Sequence, residues 1–188
     1  MALERCPACL ARPRAFQRCR AACVYDEHSR DLILKLKHAD QPELARLFAR
    51  WLSRAATPLL DEADAVVPVP VHRSRLLRRR YNQAAEIARP LARAAGLAYL
   101  PDVLIRKRDT ASQGGKSATG RRRNVAAAFV VPESRRARID GRRIVLVDDV
   151  LTTGATAEGC ARALLAAGAA SVTLSVVARV TEMQARPI

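Results

Sequence analysis

Short apolar, β-branched runs alternate along the chain with longer stretches in which apolar positions recur every third or fourth residue. Residues 65–71 (AVVPVPV) and 144–147 (IVLV) are apolar at consecutive positions, the mark of strands buried on both faces. Residues 21–26 and 171–178 read as further strands, and 102–105 and 125–131 as shorter ones. Between them Leu32, Leu36, Leu44, Leu47, Phe48, Trp51 and Leu52 recur at helical spacing, with Ser29 the expected cap of the first helix and Pro42 the first turn of the second. Residues 82–95 form another helix, stopped by Gly96, and residues 155–167 a last one. Strands alternating with helices predict an α/β fold with a mainly parallel sheet flanked by helices.

Three segments break this pattern. Residues 1–23 are basic and cysteine-bearing and read as a small residual knuckle ahead of one domain over residues 24–188. Residues 73–80 (RSRLLRRR) form a basic loop or helix start. Residues 106–124 (RKRDTASQGGKSATGRRRN) lose apolar periodicity altogether, and a polar loop of that length inside a domain usually serves the function as a lid.

Charge sharpens the picture. Lys and Arg number 33 against 18 Asp and Glu, a net +15 that draws phosphates or nucleic acid before any specific contact forms. No run of about 18 apolar residues is present, so no membrane span is predicted. The first residues lack the apolar core of a secretory signal. Five cysteines, one of them alone at Cys160 in a predicted helix, suit a reducing, cytoplasmic setting better than a disulfide framework.

The chemistry concentrates in residues 144–156, IVLVDDVLTTGAT. Asp148 and Asp149 follow the apolar run at the carboxyl end of a strand, where open α/β sheets bind ligands. Around Gly154, the small and hydroxylic residues Thr152, Thr153, Ala155 and Thr156 make a turn whose amides can approach an anion at a helix start. Carboxylates beside an anion cradle suit a ligand with hydroxyls at one end and phosphate at the other, such as a ribose 5-phosphate.

This run is similar to the signature that binds 5-phosphoribosyl 1-pyrophosphate (PRPP) in type I phosphoribosyltransferases. Together with PVPVHRSRLLRRRYNQAAEIA and SQGGKSATGRRRNVAAAF it resembles the ComF (competence protein F) family over roughly residues 25–179. The resemblance implies a type I phosphoribosyltransferase-like core with a flexible hood loop. Asp148 and Asp149 would hold the ribose hydroxyls and serve as the catalytic pair, and residues 152–156 the 5-phosphate. Pro70, Val71, His72 and Arg73 would form the pyrophosphate loop, and the hood would carry Arg106, Lys107, Gln113, Arg123 and Asn124. The reaction implied is displacement of pyrophosphate from PRPP, with Mg2+ as cofactor and an acceptor left open. The alternative is a non-catalytic PRPP sensor, or a nucleic-acid-associated protein acting in DNA uptake. Single-stranded DNA and a second copy of the chain are further candidate partners.

Two competing motifs weigh against this reading. Residues 114–117 (GGKS) look like the end of a phosphate-binding P-loop, but that pattern needs glycine where Thr110 stands, and arginines flank it in place of a strand and helix. Cys6 and Cys9 form a CxxC knuckle that Cys19 and Cys23 could complete as a Zn2+ site. The family resemblance instead puts Cys19 and Cys23 in the first strand, as apolar packing.

Overall fold

The computed structural model describes residue 10 and residues 13–36, 42–71, 81–107 and 128–181. Five strands, β1 (Cys19–Val24), β2 (Ala65–Pro68), β3 (Ala98–Tyr99), β6 (Arg143–Leu151) and β7 (Ser171–Arg179), form one sheet in the order β1-β7-β6-β2-β3. All four pairings in it are parallel. Two-residue strands β4 (Ile105–Arg106) and β5 (Phe129–Val130) pair antiparallel as a separate ribbon.

Helices cover both faces, as a parallel sheet requires. On one face lie α1 (Glu27–Leu36), α2 (Pro42–Ala55), the short α3 (Thr57–Leu60) and α4 (Gln83–Ala95), whose Phe48, Leu52, Ile87 and Leu91 pack with Val66, Val145, Val147 and Val177. On the other, α5 (Ala155–Ala166) sets Cys160, Ala161 and Leu164 against Val67, Ile144, Leu146, Val172 and Leu174. The alternation of Ile144 and Leu146 with Val145 and Val147 is the strand's period of two dividing β6 between two cores. All four side chains are at most 1% exposed.

Several boundaries differ from the sequence expectation, each for a local reason. The first strand begins at Cys19, and Gln17 N–H already donates to Val172 O at 2.9 Å, so the boundary expected after residue 23 falls inside a sheet strand. Asp26 and not Ser29 caps α1. Ser29 N–H donates to Asp26 Oδ1 and Asp26 N–H to Ser29 Oγ, both at 2.8 Å, a reciprocal capping box with Ser29 as the inner partner. The strand expected at 102–105 shrinks to Ile105–Arg106; of that expected at 125–131, Phe129–Val130 is a strand, while residues 125–127 lie outside the described residues. Helix α4 follows its signals: Asn82 accepts from Ala84 N–H, and Gly96 closes the helix at φ 67°.

Candidate functional site

After β2 the chain runs through α4 to β3 on one side; after β6 it runs through α5 to β7 on the other. The order of the sheet therefore reverses between β2 and β6, and the carboxyl ends of these two strands border the crevice where doubly wound sheets place ligands. Asp148 and Asp149 stand there on β6, Pro70 and Val71 just past β2.

β6 extends further than its apolar run. Its register with β2 stops at Pro68↔Val147, while its register with β7 continues to Leu151↔Arg179. Both aspartates consequently lie within a strand laddered on one side. Asp148 Oδ1 accepts from Asp149 N–H at 2.9 Å and Asp149 Oδ1 from Val150 N–H at 2.7 Å, which fixes both half-buried carboxylates against the backbone.

Beyond Leu151 the chain turns through exposed Thr152 and Thr153 to buried Gly154. Gly154 has φ 78° and stands at the N-cap of α5, where it offers no side chain to the first helical amides. Thr153 Oγ1 meets Ala155 N–H only at 3.4 Å. A cleft of about 50 Å³ opens here, lined by Asp148, residues 150–157, Leu174 and Val176. It has room for a small group and is far short of a whole sugar diphosphate. Asp149 does not line it, and successive strand residues project to opposite faces.

A larger cleft, about 500 Å³, lies between α2 and α4 and is lined by Arg46, Ala49, Arg50, Ser53, Pro90, Arg93 and Ala94. It has neither the carboxylates nor the glycine turn, so the smaller cleft is the candidate site.

The neighbouring loops are tied down at their ends. Asn82 Nδ2 donates to Val69 O at 3.0 Å, joining the start of α4 to the end of β2. The intervening segment carries His72 and Arg73, which lie outside the described residues. At the base of the expected hood, Lys107 N–H donates to Ala128 O at 2.7 Å and the Arg106 guanidinium lies 5.5 Å from the centre of the Phe129 ring. Burial pushes the Cys160 thiol well up, the Asp148 carboxylate adds to the rise and Arg106 opposes it, so both charges act on the same buried sulfur. Gln113, Arg123 and Asn124 lie outside the described residues.

Arg14 escaped the sequence reading. Its Nη2 donates to Thr153 O at 3.1 Å, and its Nη1 lies 3.5 Å from the position a Cβ on Gly154 would take. Nothing in the sequence marks this contact, which spans 139 positions.

No group of three or more His, Cys, Asp or Glu side chains suited to a metal occurs among the described residues. Cys6 and Cys9 lie outside them. Cys19 and Cys23 sit four positions apart on β1, about 13 Å along an extended strand. Sulfurs that share one zinc ion each lie about 2.3 Å from it, so these two cannot jointly complete the knuckle. Cys23 instead donates to Val177 O at 3.2 Å, and burial raises its thiol above the ordinary range.

Residues 81–187 match the family model described as the phosphoribosyl transferase domain. The chain is 34% identical over 172 residues, 89% of its length and 74% of the relative's, to the DNA utilization protein YhgH of Escherichia coli strain K12. It is 32% identical over 181 residues to competence protein F of Haemophilus influenzae, covering 94% and 79% of the two chains. Among solved structures, that of an allosteric regulatory enzyme of purine biosynthesis aligns with 70% of this chain and 25% of its own, at 25% identity and a TM-score of 0.46. No helix among the described residues is long and apolar enough to cross a membrane.

Proposed function

The chain belongs to the competence protein F family of phosphoribosyltransferase-like proteins, and from that premise we propose that it binds PRPP and transfers its phosphoribosyl group, with loss of pyrophosphate, to an acceptor. The observation that carries the reading is the junction of Asp148 with the uncapped Gly154 turn at the sheet's reversal point. A phosphate seated on the amides of residues 154–156 meets the positive end of α5, and the ribose hydroxyls then fall to the β6 carboxylates. Asp148 takes one hydroxyl from within the cleft, and Asp149 the other from across the strand end.

In the reaction the bond from C1 to the pyrophosphate oxygen breaks as a bond from C1 to the acceptor forms, through a transition state with positive charge on the sugar. The carboxylates orient the ring and favour that charge. Asp148 and Asp149 offer the one or two carboxylates through which Mg2+ usually binds, with water and substrate phosphates making up the rest. When bound it would neutralise charge on the departing pyrophosphate. Zn2+ has no support from the described cysteines, and any role for Cys6 and Cys9 in holding it is an expectation from their spacing alone.

Calorimetric titration with PRPP and Mg2+, followed by assay of pyrophosphate release across nucleobases and amines, tests this. Saturable binding with release is the expected result. Binding without release for any acceptor would favour a PRPP sensor, and no binding would remove the reading.

One observation supports a second role in DNA handling, in keeping with the relatives' names. Arg46, Arg50 and Arg93 line the larger cleft and make no ion pair among the described residues, whereas Arg18, Arg89, Arg135, Arg136, Arg138, Arg143 and Arg162 each lie against a carboxylate. Binding of single-stranded DNA that weakens steeply with salt, and weakens further when all three are changed to Ala, is the expected signature.

A further inference from the structure

We propose that Arg14 is a phosphate-binding residue of the candidate site, which with the turn at residues 152–156 encloses the phosphate of a sugar phosphate from two sides. The proposal rests on the PRPP reading above and adds to it a residue from outside the signature.

The next three residues along the chain fix the position of this arginine. Ala15 N–H donates to Glu158 Oε2 at 2.9 Å, Phe16 is buried in the core beside α5, and Gln17 N–H is bonded to Val172 O. Glu158 is itself held by Arg162 Nε at 2.9 Å. The guanidinium is therefore carried to the phosphate turn on an ordered segment, without a search by a loose tail. Preorganised charge of this kind strengthens binding because little ordering is left to do when the ligand arrives.

Its own bonding is incomplete. A guanidinium has five N–H donors, and among the described residues Arg14 makes one hydrogen bond, to the Thr153 carbonyl. It makes no ion pair there, and Glu158 is taken up by the Ala15 amide and Arg162. The side chain also stands beside the first turn of α5, whose amides carry partial positive charge and receive no side-chain cap. Two positive centres side by side repel each other until an anion lies between them. Arg14 does not itself line the cleft, but its guanidinium lies beside the same Gly154 turn, and a phosphomonoester on that turn offers three oxygens for the guanidinium fork and the amides together.

A clamp on this phosphate alone makes a selective prediction. Titrations of the full chain would compare PRPP, ribose 5-phosphate and Mg-pyrophosphate. Arg14→Gln should weaken PRPP and ribose 5-phosphate by roughly tenfold to a hundredfold, the range for a lost charge-assisted bond. Mg-pyrophosphate should bind as to wild type, and Arg14→Lys should recover part of the loss. Melting temperatures confirm that each variant is folded. Equal weakening of all three ligands, or Arg14→Gln binding ribose 5-phosphate like wild type, would overturn the proposal while leaving the PRPP reading in place. Failure of the wild-type protein to bind either sugar phosphate would overturn both.

Discussion

The two ends of β6 meet aspartates in opposite situations. At the amino end Asp64, just before β2, receives Arg143 N–H at 2.8 Å, Arg143 Nε at 3.0 Å and Arg143 Nη2 at 2.8 Å. That grip holds its carboxyl well below the usual range, and the residue staples β2 to β6. At the carboxyl end Asp148 and Asp149 each accept from the next amide along the chain, and Asp148 lines the cleft at the Gly154 turn. Acidic residues near the two ends of β6 thus differ: one staples two strands, and the others stand at the carboxyl end where ligand binding is proposed. What separates them is the partner that folding supplies: a guanidinium from the adjoining strand, against backbone amides of their own strand.

Substitutions at the two ends should give crossed results. Asp148→Asn with Asp149→Asn is expected to weaken PRPP binding by roughly a hundredfold or more, since each lost charge-assisted bond counts for about 1.5–3 kcal/mol. Its melting temperature should stay near that of wild type, because the amide oxygens can still accept from Asp149 N–H and Val150 N–H. Retained binding in calorimetry would break the comparison outright.

Gly154→Ala acts on the turn alone. A Cβ there meets its neighbours at ordinary distances, so the cost comes from the positive φ, about 1–2 kcal/mol, and up to about tenfold in affinity follows if the turn shifts. Asp64→Asn should do the reverse: a small drop in melting temperature by scanning calorimetry, discounted for solvent exposure, with PRPP affinity unchanged. The smallest effect expected is one of pH. A carboxyl with a depressed folded pKa stabilises above its unfolded value of about 3.9 and loses that contribution as pH falls through the folded one. The gap between wild type and Asp64→Asn should therefore be level from about pH 5 to 8 and close below about pH 4. A gap that widened in acid would contradict the assigned partner.

Much of the fold could be read in the sequence because the signals were local. The apolar run at 144–147 required a strand with two covered faces, and Asn82 with Gly96 delimited α4 to within a residue. The turn at Gly154 was legible for the same reason, since Gly154 and its threonines are neighbours in the chain. What escaped was one-sided or distant. No local pattern reveals that β6 keeps pairing with β7 after β2 has left it, so the apolar run alone ends the strand before its aspartates. The segment before Cys19 looked like part of a separate knuckle because its composition is basic, whereas Phe16 and the Gln17 amide commit it to the sheet. Ser29 passed for a cap because Asp26, three residues earlier, becomes one only through their reciprocal bonds.

The pairing of β1 with β7 bears on how the molecule is made. Cys23 bonds to Val177 across 154 positions, so β1 has no place in the sheet until β7 has been made. Contacts of such long range close late and slow the search for the native topology. Arg14 reaches Thr153 from a segment joined to that edge, so the proposed contact with a phosphate follows the pairing of β1 with β7. A chain cut short before β7 would carry the whole Asp148 to Thr156 signature and still lack its guanidinium.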